Sequence, residues 1–403
     1  MRESYDVLIV GGGIVGVAIG LELIETLPNL KIAIAEKEIS GLMHASGRNS
    51  GVMHAGFYYT PDSLKAKFCK DGNYLLKKYC KKKSLKCDEI GKVVVSSSQE
   101  NEKQLDLLAE RAHSNNVDIE ILNVSKLKKY EPMAKTYARF LWSPKTAIAD
   151  PIEIHKAMIS DFLMLGGNFL SKTKIELAEV ENEIRIVNKD FYAKYIINAA
   201  GTHSLSLAKS LNIATEFKLI PFKGTYIGSK KMSHSLSRLV YPLPHPLNPF
   251  LGIHLTKTIN GVVKIGPSAI PTFGPEKYKI LDKFALQEAK ESFTGLLTYA
   301  LNDSRNARPI FFTETKYLFT KGMLNEAEKI VPDVKKFSDW RKLKSGIRAQ
   351  LLNLNSKSLE QDFIVVNKLN STHILNLVSP GWTCSMSFAK YISNQFILPN
   401  LGK

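Results

Sequence analysis

The chain has 403 residues, 44% of them hydrophobic and 23% charged, an ordinary globular composition that excludes a disordered or low-complexity protein. Its length is more than one compact core usually holds, so two interleaved domains are expected, and no stretch is apolar over the length needed to span a bilayer. The formal charge is +17, yet only ten of the 55 basic residues are arginine, which argues against nucleic acid as a partner and leaves two uses for the charge: steering of a small anionic substrate, or adhesion to anionic lipid.

In chain order, Tyr5 to Val10 is apolar and β-branched and predicts a buried parallel strand. The turn Gly11-Gly12-Gly13-Ile14-Val15-Gly16 follows, a helix is predicted from Ile14 to Thr26, and a second strand, Lys31 to Ala35, ends on Glu36, twenty residues beyond Gly16. This is the dinucleotide fingerprint in its βαβ setting. Gly11 permits the tight turn, Gly13 lets the backbone approach a pyrophosphate at the positive end of the helix, Gly16 brings helix and strand together, and Glu36 can accept hydrogen bonds from ribose hydroxyls. The uncharged run from Val7 to Leu21 also invites reading as a secretory signal, but Glu3 and Asp6 precede it, Glu22 and Glu25 follow it, and no small-residue cleavage site appears.

Ala45-Ser46-Gly47-Arg48-Asn49-Ser50-Gly51-Val52-Met53-His54-Ala55-Gly56 is too small and polar for a core and suits a loop that lines a ligand with backbone N–H groups. Together with GGGIVG and the acid ending the second strand, the run SGRNSGVMHAGFYYTPDSLKAKFC resembles the FAD-dependent oxidoreductases of the D-amino acid oxidase and glycine oxidase superfamily. Within that superfamily it is similar to the L-2-hydroxyglutarate dehydrogenase/oxidase family. The resemblance continues through Pro221-Phe222-Lys223-Gly224-Thr225-Tyr226, Tyr241 to Pro244, Pro249 to Thr256, Gly266-Pro267 and Gly346-Ile347-Arg348-Ala349-Gln350, and so covers nearly the whole chain. It implies an α/β architecture, a Rossmann-like FAD-binding domain of the GR2 flavoprotein type interleaved with a mainly antiparallel-sheet substrate domain. The expected division is 1–74, 150–215 and 346–403 for FAD, and 75–149 and 216–345 for substrate.

Further along, a Lys-rich helix holds the cluster Lys77 to Lys83, read either as a solvated face or as a lipid contact. A strand from Lys92 to Ser96, a helix around Glu102 to Ser114, an amphipathic helix from Ile152 to Gly166 and paired strands between Lys172 and Ile186 follow. Tyr195 to Ala200 predicts a buried strand ending in small residues, and the resemblance implies that it returns to the cofactor domain. From Glu216 to Ser345 strands and prolines alternate, with a helical portion around Leu281 to Ala300. His373 to Val378 is a strand, and Ser379-Pro380-Gly381-Trp382-Thr383 turns into a last helix ending near Phe396. The start of that helix would aim its positive end at a flavin ring that gathers negative charge on reduction. Cys69, Cys80, Cys87 and Cys384 show no paired spacing and no histidine cluster, so neither a disulfide framework nor a metal site is expected, and a cytoplasmic setting fits.

A flavin enzyme of this kind needs three things near the ring: a carboxylate anchor, a proton acceptor for the alcohol or amine, and a donor that tolerates negative flavin. A guanidinium can pair with a substrate carboxylate through two parallel hydrogen bonds, which nominates Arg348, against the alternative of a solvated surface cation. His54 and His254 are both candidates for the proton acceptor, and the residues alone do not rank them. Tyr58, Tyr226 and Tyr241 can bind substrate or simply pack. Lys223 and Arg48 can serve a second carboxylate, although the family usually carries arginine at the first and histidine at the second. The resemblance further implies cofactor contacts from Gly11, Gly13, Ile14, Val15, Gly16, Glu36, Lys37, Ser46, Asn49, Ser50, Gly51, Val52, Ile175, Ala200, Gly201, Ser379, Pro380, Gly381, Trp382 and Thr383, with FAD held non-covalently. Trp382 departs from the family's small residue and narrows the space. The implied reaction is oxidation of L-2-hydroxyglutarate to 2-oxoglutarate by hydride transfer to flavin N5, with electrons passed to quinone or oxygen and peripheral contact with the inner face of a membrane left open. Alternatives are FAD-dependent amino acid or amine oxidation of the glycine or sarcosine type, a non-catalytic nucleotide-binding redox or membrane-docking protein, and NAD-dependent dehydrogenation.

Overall fold

A computed structural model describes residues 3–244, 251–279, 286–302 and 314–401. The opening strand, Glu3–Val10, lies at the centre of a six-stranded sheet. Its neighbours are Ile32–Ala35 on one side and Phe191–Asn198 on the other, both parallel to it. Asn168–Leu170 and Ser371–Leu375 extend the parallel set, and only the edge strand Ile364–Lys368 runs antiparallel. Central strands of such a sheet are covered on both faces, which is why Val7, Leu8 and Ile9 are all fully buried and read as a continuous apolar run.

The first helix, Ile14–Thr26, packs on this sheet together with Pro151–Met164 and the last helix, Gly381–Ile392, which continues as a π turn over Ser393–Ile397. The long helix Leu64–Lys82 lies against the last helix: Phe68 meets Phe388 edge-on at 5.6 Å. The expected boundary between residues 74 and 75 therefore falls inside one unbroken helix. In the lysine cluster Lys77 pairs with Glu89 and Lys83 with Asp161, while Tyr79 and Cys80 turn into the core.

A second sheet of eight strands stands beside the first, in the order Arg341–Lys342, Ile227–Ser229, Val263–Gly266, His254–Lys257, Leu239–Pro242, Lys92–Val95, Arg139–Ser143, Glu120–Asn123. Its pairings are antiparallel except for Leu239–Pro242 against Lys92–Val95. A four-stranded sheet links the two. In it Phe217–Gly224 and Gly346–Asn353 run antiparallel with Phe222 opposite Arg348. The strand Gly346–Asn353 serves two cores at once, since Leu351 packs beneath the parallel sheet and Leu352 packs with Ile220 and Phe222. Of the helix expected around Leu281 to Ala300, the part described is Leu286–Ala300; positions 281–285 lie outside the described residues, as do Pro249 and Phe250.

Candidate active site

One cavity of about 1010 Å³ runs between the two large sheets. At one end it meets the glycine turn. Gly11 has φ +114°, and a Cβ there would lie 2.4 Å from the carbonyl oxygen of Ala199, so only glycine fits. A Cβ on Gly16 would lie 2.0 Å from Gly11 O, which explains the close approach of helix to strand. The helix starts at Gly13 with no side-chain cap and no acid in its first turn. Its positive end is therefore left for an outside anion. Ser46 Oγ reaches in, accepting from Ile14 N at 2.9 Å, while His155 Nε2 bonds Gly12 O at 2.8 Å and steadies the turn.

Of the expected cofactor contacts, Gly13, Ile14, Val15, Ser46, Asn49, Ser50, Val52, Gly201, Ser379, Pro380, Gly381, Trp382 and Thr383 line this cavity. Gly11, Gly16 and Gly51 stand behind it and shape the backbone. Gly51, at φ +77°, would clash with Ala149 O if it carried a Cβ. Glu36 is buried and does not line the cavity; its two carboxylate oxygens accept from Gly12 N at 2.9 Å and Glu38 N at 2.8 Å, so it braces the turn. Lys37 also turns away, with its ammonium 2.5 Å from both Glu38 and Glu276. Ile175 belongs to the core beneath the sheet and Ala200 packs against it, so neither side chain lines the cavity. Thr383 lines the wall but commits its hydroxyl to the backbone, accepting from His54 N and donating to Val52 O, both at 3.2 Å.

The other end is walled by His54, Tyr58, Tyr226, Tyr241, His254 and Arg348. Arg348 Nη1 donates to Ser268 O at 3.1 Å, which sets the plane of its guanidinium. His254 is stacked on Tyr241 with ring centroids 3.8 Å apart, and its Nδ1 lies 2.9 Å from Gly252 O. That contact requires the proton on Nδ1 and leaves a lone pair on Nε2. Burial, with Lys92 and Arg348 nearby, pushes its pKa down to about 3 against the pull of Gly252 O. His54 is likewise pushed well below the usual imidazole range by burial and then by Lys92 and His254, and its Nδ1 has no hydrogen-bond partner among the described residues.

Of the two cations expected to serve a second carboxylate, Arg48 lines the cavity and Lys223 does not. Cross-strand partners share a face of a sheet, and Lys223 pairs with Ile347 while Arg348 pairs with Phe222, so Lys223 points to the opposite face from Arg348 and does not line the cavity. Arg48 sits at the rim with Nε on Met43 O, Nη1 on Ser345 O and its guanidinium 4.0 Å from the centre of the Tyr278 ring. Sequence reasoning also passed over Lys92, fully buried with its ammonium 4.2 Å from the Tyr241 ring, because a lysine opening a strand ordinarily reads as solvent-facing.

The FAD-dependent oxidoreductase family, DAO, matches residues 6–395. The chain belongs to this family. Among relatives of the DAO member, the mitochondrial L-2-hydroxyglutarate dehydrogenase of Caenorhabditis briggsae is 33% identical over 418 aligned residues, covering 98% of this chain and 93% of that one. The L-2-hydroxyglutarate dehydrogenase of Escherichia coli K12 is 32% identical, with 96% and 92% covered. The human mitochondrial enzyme of that name is 30% identical, with 98% and 89% covered. In fold the chain is similar to FAD-bound L-α-glycerophosphate oxidase from Mycoplasma pneumoniae, with a TM-score of 0.76 at 21% identity over 100% of this chain and 95% of that one. Glycine oxidase from Geobacillus kaustophilus gives 0.71 at 15% identity, covering 97% and 94%. The uncapped helix start at Gly13 and the glycines that a Cβ would obstruct fit the FAD of this family.

Proposed function

We propose that this flavoprotein oxidises L-2-hydroxyglutarate to 2-oxoglutarate. The observation that carries the reading is the single cavity in which the glycine turn and the start of the last helix share walls with Arg348 and His254. FAD, when bound, supplies an acceptor for the hydride that leaves the substrate α-carbon. Arg348, its plane fixed by Ser268 O, holds the α-carboxylate. His254 takes the hydroxyl proton at Nε2; of the two histidines it is the one whose tautomer is set by a backbone partner. The start of the last helix at Gly381, on the cavity wall, would offer backbone donors to the bound cofactor. Residues 3–82, 150–215 and most of 346–401 form the FAD-binding portion in this reading, and the eight-stranded sheet with its helices forms the substrate portion.

The family relation supports a small-molecule substrate and a separate electron acceptor, which we take to be a quinone or oxygen. No helix among the described residues is long and apolar enough to cross a membrane. Peripheral contact with a membrane is supported by the outer face of Leu286–Ala300, where Leu286, Phe293 and Leu297 are exposed. The deciding experiment is an anaerobic screen of 2-hydroxy acids, amino acids and amines against purified holoenzyme. L-2-hydroxyglutarate should bleach the flavin at the lowest concentration, and bleaching by glycine or sarcosine in its place would transfer the reaction from a C–O to a C–N bond.

A further inference from the structure

Lys92 has no exposure to solvent, and its Nζ finds no hydrogen-bond partner among the described residues. It is enclosed by aromatic rings, with Nζ 4.2 Å from the centre of Tyr241, 5.1 Å from Tyr58 and 5.5 Å from Phe57. Tyr241 in turn stacks on His254, so lysine, tyrosine and histidine form one column leading to the cavity. A buried, unpaired amine is costly to fold around, and an apolar residue of similar length would fill the same space more stably. We propose that Lys92 is a positioning residue of this site, the group that takes the resident proton of a crowded basic cluster and, adding its charge to the larger effect of burial, helps keep the imidazoles of His254 and His54 uncharged and able to accept a proton. The proposal rests on the reading of this cavity as the site of hydroxy acid oxidation.

The cluster contains three basic groups that cannot all be charged at such close quarters. Lys92 faces Cys69, His54, His254 and the rings of Tyr58 and Tyr241, and its strand neighbours in register are Ser143 and Leu239. His254 faces Lys92, Arg348 and Tyr241, and His54 faces Lys92 and His254. Among the described residues no carboxylate acts on any of the three. Burial lowers Lys92 to about 7, with Cys69 pulling the other way, while His254 lies near 3. The first proton entering the cluster therefore goes to the lysine, and its charge discourages a second on either histidine. A dianionic substrate favours the ammonium further, so substrate binding and protonation of Lys92 reinforce one another. The base is left neutral at the moment the hydroxyl proton must leave.

Lys92→Met, with Lys92→Gln as a second variant, tests this in holoenzyme. The measurements are the pH profile of kcat/KM for L-2-hydroxyglutarate and the imidazole titrations of histidine-labelled protein followed by NMR without substrate. Both variants should retain FAD, and the methionine variant should melt no lower than the parent. The acid limb of the profile and the His254 titration should move up by about one pH unit. Imidazole titrations and an acid limb that stay where they are, even with kcat reduced, would overturn the proposal and reduce Lys92 to a packing residue. Titrations that move in a protein that oxidises no hydroxy acid would keep the role of Lys92 and remove the substrate reading instead.

Discussion

At the glycine turn the cavity wall is backbone: Gly13 at a helix start without a cap, with Gly11 at φ +114° and the Glu36 carboxylate on Gly12 N shaping the turn from behind. Around His254 the wall is side chains, brought together from residues 52–58, Leu239–Pro242, His254–Lys257 and Gly346–Asn353, segments separated by up to most of the chain. A backbone site tolerates variation in the side chains that cover it but not in the glycines that shape it. A side-chain site behaves the other way, since each group has its own task and its own neighbours. Single substitutions at the two ends should therefore fail differently, one losing the cofactor and the other losing chemistry on a retained cofactor.

The largest effect is expected from His254→Asn, which keeps a group able to donate to Gly252 O and removes the base. Turnover should fall by about 10²–10⁴ with flavin content unchanged, as read by stopped-flow flavin reduction. His54→Asn in the same assay should lose less, and a larger loss there would reverse the assignment of the base. Next comes Gly11→Ala, where both the conformation and the 2.4 Å approach to Ala199 O oppose a methyl group. A strain of about 2 kcal/mol or more corresponds to FAD affinity weakened by about 30-fold, and protein that emerges fully yellow would break the distinction drawn between the two ends.

Arg348→Lys should follow, replacing a fork by a point charge. Apparent affinity for L-2-hydroxyglutarate should drop by about 10-fold or more while FAD remains bound, and unchanged affinity in an anaerobic titration would remove the anchor role. The smallest effect belongs to Glu276, which joins the two halves at the rim by accepting from Lys37 and His203. Burial raises its pKa but the His203 and Lys37 hydrogen bonds outweigh that and hold it down to about 2. A depressed carboxylate contributes stability that is present above its ordinary pKa near 4.5 and is lost as pH falls from there towards 2. Glu276→Gln should thus lower Tm by no more than about 2 °C at pH 7, and the difference from the parent should shrink across that acid window in a pH series of melts.

The contrast between the two ends also explains what the residues disclosed in advance. The opening strand, the glycine turn and the first helix are contiguous, and their spacing carries their geometry, so the helix predicted from Ile14 to Thr26 is the helix observed. Glu36 was legible as the acid ending the second strand, but its inward rotation onto Gly12 N was not, because nothing local distinguishes a carboxylate that faces ribose from one that braces a loop. Lys223 illustrates the limit for strands. Its neighbourhood to Arg348 depends on cross-strand register, and a shift of one residue reverses the face to which a side chain points. Lys92 was hidden for a related reason: the strand Lys92–Val95 is interior to an eight-stranded sheet, a fact fixed by distant partners such as Leu239 and Ser143 and not by its own four residues.

The strand Gly346–Asn353 contributes Leu351 to one core and Leu352 to another, while Arg348 looks into the cavity from the same ribbon. Neither half can thus be excised and expected to fold by itself, nor can specificity be exchanged between relatives by transplanting one half. New substrate preferences on this scaffold must arise by piecemeal replacement within an indivisible architecture, where every alteration near the anchor is also felt by the hydrophobic interior on which cofactor retention depends.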